Sequence, residues 1–199
     1  MAFVIESGVG LRHPAAVDGS GHLLTRAVTE TEQIEAVELG YAFNINTGKI
    51  SISAESGLLY FKNDEVDPFV ITAIALGVGS GTTSDIGELT VIRNPTAGTL
   101  ISGASAVDMN QNRNTGSSNT LRSTTLAYKG ASGNTVTDGD DLALFFQGTS
   151  GRLFATVDIE VARGGSIALK YQPNLSSGSC SVYAALVGYV KTRVFDPVG

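Results

Sequence analysis

The alternation of hydrophobic and polar positions changes character near residue 39. Beyond it, short apolar runs recur at strand spacing. Tyr41, Phe43 and Ile45 alternate with Ala42, Asn44 and Asn46, and after a turn at Thr47-Gly48 residues 49–53 repeat the pattern. Further runs at 58–61, 69–78, 89–93, 99–101, 104–109, 142–147, 153–161, 166–171 and 182–190 are separated by Gly, Asn, Asp and Ser clusters. Such runs predict about ten strands, most of ~4–8 residues. No stretch carries a convincing helical period, although residues 120–129 could hold a single turn.

Crossover helices of ten or more residues have no room between these runs, which argues against a parallel α/β sheet. The expected fold is therefore all-β, an antiparallel two-sheet sandwich of jelly-roll-like topology. Residues 39–199 form its body and 1–38 an extended N-terminal arm. The arm lacks sustained alternation, holds the loop signals Gly8-Val9-Gly10 and Asp18-Gly19-Ser20-Gly21, and ends in Glu30, Glu32, Glu35 and Glu38. A short strand over residues 23–29 is expected after the Asp-Gly turn. Such a segment cannot close a core alone. It reads as an arm lying on a partner, through Phe3, Val4, Ile5, Leu11, Val17, Leu23 and Leu24, the alternative being a loose terminus. The last strand is apolar on both faces, which places it centrally in a sheet or against a neighbouring subunit. Tyr183, Val187 and Tyr189 are its candidate interface residues.

Composition agrees with many turns: 24 of 199 residues are Gly, with 19 Ser and 19 Thr, and none is Trp. Lys and Arg number 13 against 19 Asp and Glu, a net charge of −6, and the cations are scattered singly. Duplex binding needs clustered cations, so no direct nucleic-acid partner is expected. The lone Cys180 excludes an internal disulfide and a cysteine-based zinc site. No apolar run approaches the ~20 residues of a membrane helix, and no secretory leader is evident, so synthesis in a cytoplasm is expected and no membrane partner.

Candidate chemistry is sparse. Gly77, Gly79 and Gly81 precede another strand rather than a helix, so they suit a loop better than a dinucleotide cradle. His13 and His22, the only histidines, both lie in the arm. No nucleophile elbow accompanies them, and no catalytic residue, metal ligand or cofactor is assigned. Residues 108–116 (Asp-Met-Asn-Gln-Asn-Arg-Asn-Thr-Gly) place oxygens at alternate positions like the start of a calcium loop. Arg113 stands where that loop needs glycine, and Asn119 where it needs a bidentate glutamate. An Asn-rich turn held by side-chain-to-backbone bonds is the main reading. Asp138-Gly139-Asp140-Asp141 reads as a turn of the same kind.

Four stretches carry a resemblance. V-D-G-S-G-H-L-L-T-R-A-V (17–28), Y-A-F-N-I-N-T-G-K-I-S-I (41–52), R-N-P-T-A-G-T-L-I-S-G-A (93–104) and N-R-N-T-G-S-S-N-T-L (112–121) resemble, in this order, small structural proteins of tailed-bacteriophage virions. The resemblance runs from about residue 17 to 190. It implies a non-enzymatic capsid decoration (cement) protein, commonly a homotrimer. Such a protein would be made in the host bacterial cytoplasm and bound to the phage major capsid protein on the outer head surface, bridging capsid subunits. The alternatives are a tail or head-fibre component that binds a host glycan, and a head–tail connector.

Overall fold

The computed structural model describes residues 31–79, 87–107, 111–146 and 151–191, together with residues 4–6, 12–14 and 147 by backbone alone. Strands β1 (Val4–Glu6) and β2 (Arg12–Pro14) pair antiparallel with each other. Helix α1 (Glu32–Glu38) follows, and then β3 (Ala42–Asn46), β4 (Ile50–Ile52), β5 (Ser56–Lys62), β6 (Phe69–Val78) and β7 (Gly87–Arg93). A helical turn, α2 (Thr99–Ser102), leads to β8 (Ser105–Ala106) and β9 (Leu126–Lys129). The last four strands are β10 (Asp140–Gln147), β11 (Gly151–Val161), β12 (Ser166–Gln172) and β13 (Cys180–Val190).

Two antiparallel sheets result, ordered β10-β7-β12-β5-β9-β8 and β11-β6-β13-β3, with β4 also on β13. Setting aside β4, β8 and β9 and counting the other eight of these strands in chain order, the sheets read 1-8-3-6 and 2-7-4-5. That is jelly-roll order, so the expected all-β sandwich is the fold of the body. The core lies between the sheets. Phe43 and Ile45 of β3, Ile71, Ile74 and Leu76 of β6, and Leu186 of β13 meet Phe61 of β5, Leu89 and Val91 of β7, and Leu169 of β12. The Phe61 and Phe69 rings tilt across it with centroids 4.8 Å apart.

Several elements differ from the sequence expectation. Residues 99–101 are helical rather than strand, because Gly98 turns the chain at φ 128° and its carbonyl accepts from the Ser102 N–H and hydroxyl. Leu100 then drops into a small cluster with Tyr60, Ile92 and Ala168 on the outer face of the six-stranded sheet. Residues 126–129, inside the stretch expected to hold a helical turn, pair with β5 as β9. Of residues 104–109 only Ser105–Ala106 is strand among those described. The strand expected at 23–29 lies outside the described residues.

Helix α1 falls inside the segment read as arm. Thr31 caps it, its hydroxyl accepting from Ile34 N at 3.3 Å. Gly40, at φ 76°, ends it: Gly40 N reaches Val37 O and Tyr41 N reaches Ala36 O, a Schellman closure. Its Ala36 and Val37 pack on Ala42, Val70 and Tyr189 of the five-stranded sheet, so the last turns of that segment belong to the folded body.

Candidate functional site

No group of three His, Cys, Asp or Glu side chains placed to hold a metal ion gathers among the described residues. Cys180 is buried in the core, where desolvation pushes its thiol pKa up.

The Asn-rich segment has a structural job. The Asn112 amide donates to Gly40 O (2.6 Å) and Asn119 O (3.0 Å), Asn114 to Glu38 O (2.9 Å), and Asn119 to Leu39 O (3.0 Å). Three asparagines thus satisfy carbonyls that the C-terminus of α1 leaves over. The side-chain oxygens of Asn112 and Asn114 in turn accept from Asn114 N and Gly116 N. The turn at 138–141 is similar: the Asp138 carboxylate accepts from Thr96 N and Ala97 N, and Asp140 pairs with Arg93 at 2.8 Å. Asp108, Met109 and Asn110, which open the stretch resembling the start of a calcium loop, lie outside the described residues.

What the fold leaves open is an edge. The outer side of β3 is covered, since Asn44 N donates to Gln111 O and Arg113 N to Ala42 O. β10 and β11, the terminal strands of the two sheets, share the opposite side of the sandwich, and no described strand pairs with their outer edges. Outward positions of these two strands hold large apolar side chains: Leu142 is 44% exposed, Leu144 50%, Phe146 62% and Phe154 66%. Antiparallel strands with one face in the core and one in solvent alternate apolar-in and polar-out; here the inward row (Ala143, Phe145, Leu153, Val157, Ile159) is apolar and part of the outward row is too. Open strand edges are normally blunted by charge or proline. Charges do stand at the far ends, at Asp140, Asp141, Asp158 and Glu160, but none lies between Leu142 and Gln147.

The two outer flanks of this edge differ. On the β10 flank, Phe146 is opposite Glu88 of β7 and Leu144 opposite Thr90. On the β11 flank, Arg152 and Phe154 stand opposite Gly77 and Ala75 of β6, and Tyr183 of β13 is opposite Gly77 from the other side. Small residues between larger walls make a trough. Two adjoining hollows of about 420 and 460 Å³ occupy it, sharing Gly77, Arg152 and Tyr183; Phe154 lines one and Lys49 the other.

The interface candidates of the last strand divide accordingly. Tyr183 and Val187 are half-buried on the outer face of the five-stranded sheet. Tyr189 is only 8% exposed beneath α1, with its hydroxyl 3.1 Å from the Glu32 carboxylate. Burial, reinforced by Glu32, pushes its pKa up to about 12. Its surface is therefore spent within its own chain. Of the arm residues, Phe3, Leu11, Val17, Leu23 and Leu24 lie outside the described residues, and Val4 and Ile5 are described only as backbone of β1. Sequence reading missed the β10–β11 flanks. The signal was the pair Phe145-Phe146, two adjacent aromatics that a strand must point to opposite faces.

No protein family, curated protein or solved structure matches this chain.

Proposed function

We propose that this chain is a non-enzymatic structural subunit of a tailed-phage virion, placed on the outer head surface as a decoration protein that bridges major capsid subunits. The observation that carries the reading is the open β10–β11 edge, whose exposed leucines and phenylalanines call for burial against another protein surface. The resemblance of residues 17–28, 41–52, 93–104 and 112–121 to virion proteins supplies the kind of assembly. The mechanism is linkage: surface buried only in the finished shell stabilises that shell over its dissociated parts. No catalytic residue or cofactor enters it.

A symmetric reconstruction of the phage particle whose genome encodes this chain tests the proposal. Jelly-roll density on the head lattice, lost when the gene is deleted, is the expected result. Density on the tail, or host-glycan binding by the Arg152–Tyr183 trough, replaces the decoration reading with that of a receptor-binding component.

A further inference from the structure

We infer that a hollow on the outer face of the six-stranded sheet, between the tip of the β11–β12 hairpin and the β7–α2 loop, binds an acidic sugar, with Lys62 taking its carboxylate. This goes beyond the structural-subunit reading and does not rest on it. β7 lies between the strands under the hollow and β10, so an occupied hollow leaves the β10 flank of the open edge free.

The charge of the lining comes first. About 570 Å³ lies open there, inside the ~300–1,000 Å³ of small-ligand pockets. Lys62 of β5 stands opposite Ser166 of β12 and Leu126 of β9, and so rises from the floor. It is half-buried and has no ion-pair partner among the described residues. Arg163, the other cation of the lining, is held to Asp64 through Nε at 3.3 Å. No carboxylate lines the hollow, although acids outnumber bases in the chain by 19 to 13. A half-buried ammonium without a counter-charge favours an incoming anion.

The rest of the lining selects the body of that anion. Leu126, Tyr128 and Ile101 supply apolar surface. The Tyr128 hydroxyl and the Asn94 amide nitrogen, neither hydrogen-bonded among the described residues, supply polar groups, as does the Ser166 hydroxyl. A sugar ring meets both kinds: its C–H faces lie on aromatic and apolar surface, and its hydroxyls donate and accept. A fatty acid would leave the polar groups unpaired, and a bare inorganic anion would leave the apolar ones wet. An acidic peptide would need a free backbone edge to pair with, and β5 is already flanked by β12 and β9.

The rims are fixed in advance. Asn94 N donates to Ser166 O (2.8 Å) and Asn94 Oδ1 accepts from Ser166 N (3.0 Å). These two bonds hold Asn94 at φ 50°, a left-handed conformation uncommon for residues other than glycine. Backbone strain of this kind clusters at ligand sites. On the other rim Gly164 N donates to Asn63 O and Asn63 N to Gly165 O. The fully buried Asn63 side chain ties the same hairpin through Val161 O at 2.9 Å. Rims held this way need little ordering when a ligand enters.

A ¹H–¹⁵N NMR titration of the full chain reads the result. D-glucuronate is expected to bind with a dissociation constant on the order of 1 mM and to shift amides at 94–96, 126–128 and 162–166. D-glucose should bind about tenfold more weakly, and acetate and capped glutamate should leave those amides in place. Lys62→Met should remove the preference for glucuronate over glucose, and Lys62→Arg should keep it. Asn94→Asp, which retains the oxygen that Ser166 uses and adds a negative charge, should also lose glucuronate while keeping glucose, so the question stays decidable if Lys62→Met fails to fold. Absence of shifts with glucuronate overturns the inference, as do shifts centred on the Arg152–Tyr183 trough, equal binding of glucose or acetate, or a folded Lys62→Met variant that still prefers glucuronate. Capped glutamate that shifts the same amides replaces the sugar with an acidic side chain. None of these readings needs a phage particle, so sugar binding by a chain absent from the head counts against the decoration role alone.

Discussion

Gly188 shows how little room β13 has at one point. A Cβ there would sit 2.3 Å from Val70 O and 2.5 Å from the Phe69 ring, inside the pairing of β13 with β6. Neither neighbour can retreat without moving the core. Gly188→Ala is expected to destabilise the body by about 1–3 kcal/mol, read as a lower urea midpoint. The buried tyrosines set a second limit at this scale. Tyr171 and Tyr189 are both raised from 10.0 to about 12, chiefly by desolvation. Between those values the unfolded chain loses protons that the folded chain retains, so stability is intact below pH 10 and falls as pH rises toward 12. The steepest loss is about 1.4 kcal/mol per pH unit for each group. Urea unfolding across that window, paired with tyrosinate absorbance, should show the decline. Tyr189→Phe should make it shallower by one group while loosening α1.

At the scale of elements, the dependence of α1 on the Asn-rich segment is the least obvious relation in the fold. Three amides from residues 112–119 hold the carbonyls at its end, some 70 positions away in sequence. Asn112→Ala is expected to cost about 1–3 kcal/mol by stranding carbonyls and to raise amide exchange over residues 35–40. Calcium should leave the melting temperature unmoved, because the Asn112 and Asn114 oxygens serve backbone N–H groups and bring no negative charge to offset a dehydrated divalent ion. A calcium-dependent rise would show that the segment opens to a cation after all. Legibility in the sequence follows from how local each element's support is. β6 was readable to its ends at Phe69 and Val78, since ten apolar-rich residues stop at a glycine cluster. α1 is two turns long, too short for a period to declare itself in the sequence. α2 and β9 were misread because their states rest on distant partners: Leu100 on Tyr60 and Ala168, and β9 on β5. The open edge was illegible for a related reason, because exposure depends on which strands end a sheet.

For the whole molecule, α1 moves the practical boundary of the body from residue 39 to about residue 31. Removing residues 1–38 takes away the cover over Val70 and Tyr189 and the Glu38 carbonyl to which the Asn114 amide donates, while removing 1–30 keeps both. The shorter deletion is therefore expected to melt several degrees above the longer one in a differential scanning experiment. If the first 30 residues form the capsid-contact arm, both deletions should lose occupancy on heads that lack the chain. Equal occupancy by the 1–30 deletion and the full chain would remove the arm from that role.

The pairing of Ala42 with Tyr189 has a mechanical side. The chain enters the sandwich at the start of β3 and leaves it at the end of β13, next door, with Val190 N still bonded to Tyr41 O at 2.9 Å. A pull applied to both points loads that ladder from one end, one hydrogen bond after another, and opens it like a zip. Anchored instead by α1 on one side and the β10–β11 edge on the other, the same sandwich takes the load across its sheets, with many bonds bearing it together. A shell under internal pressure would be braced by the second attachment and torn by the first, so where this molecule is gripped decides how strong it is.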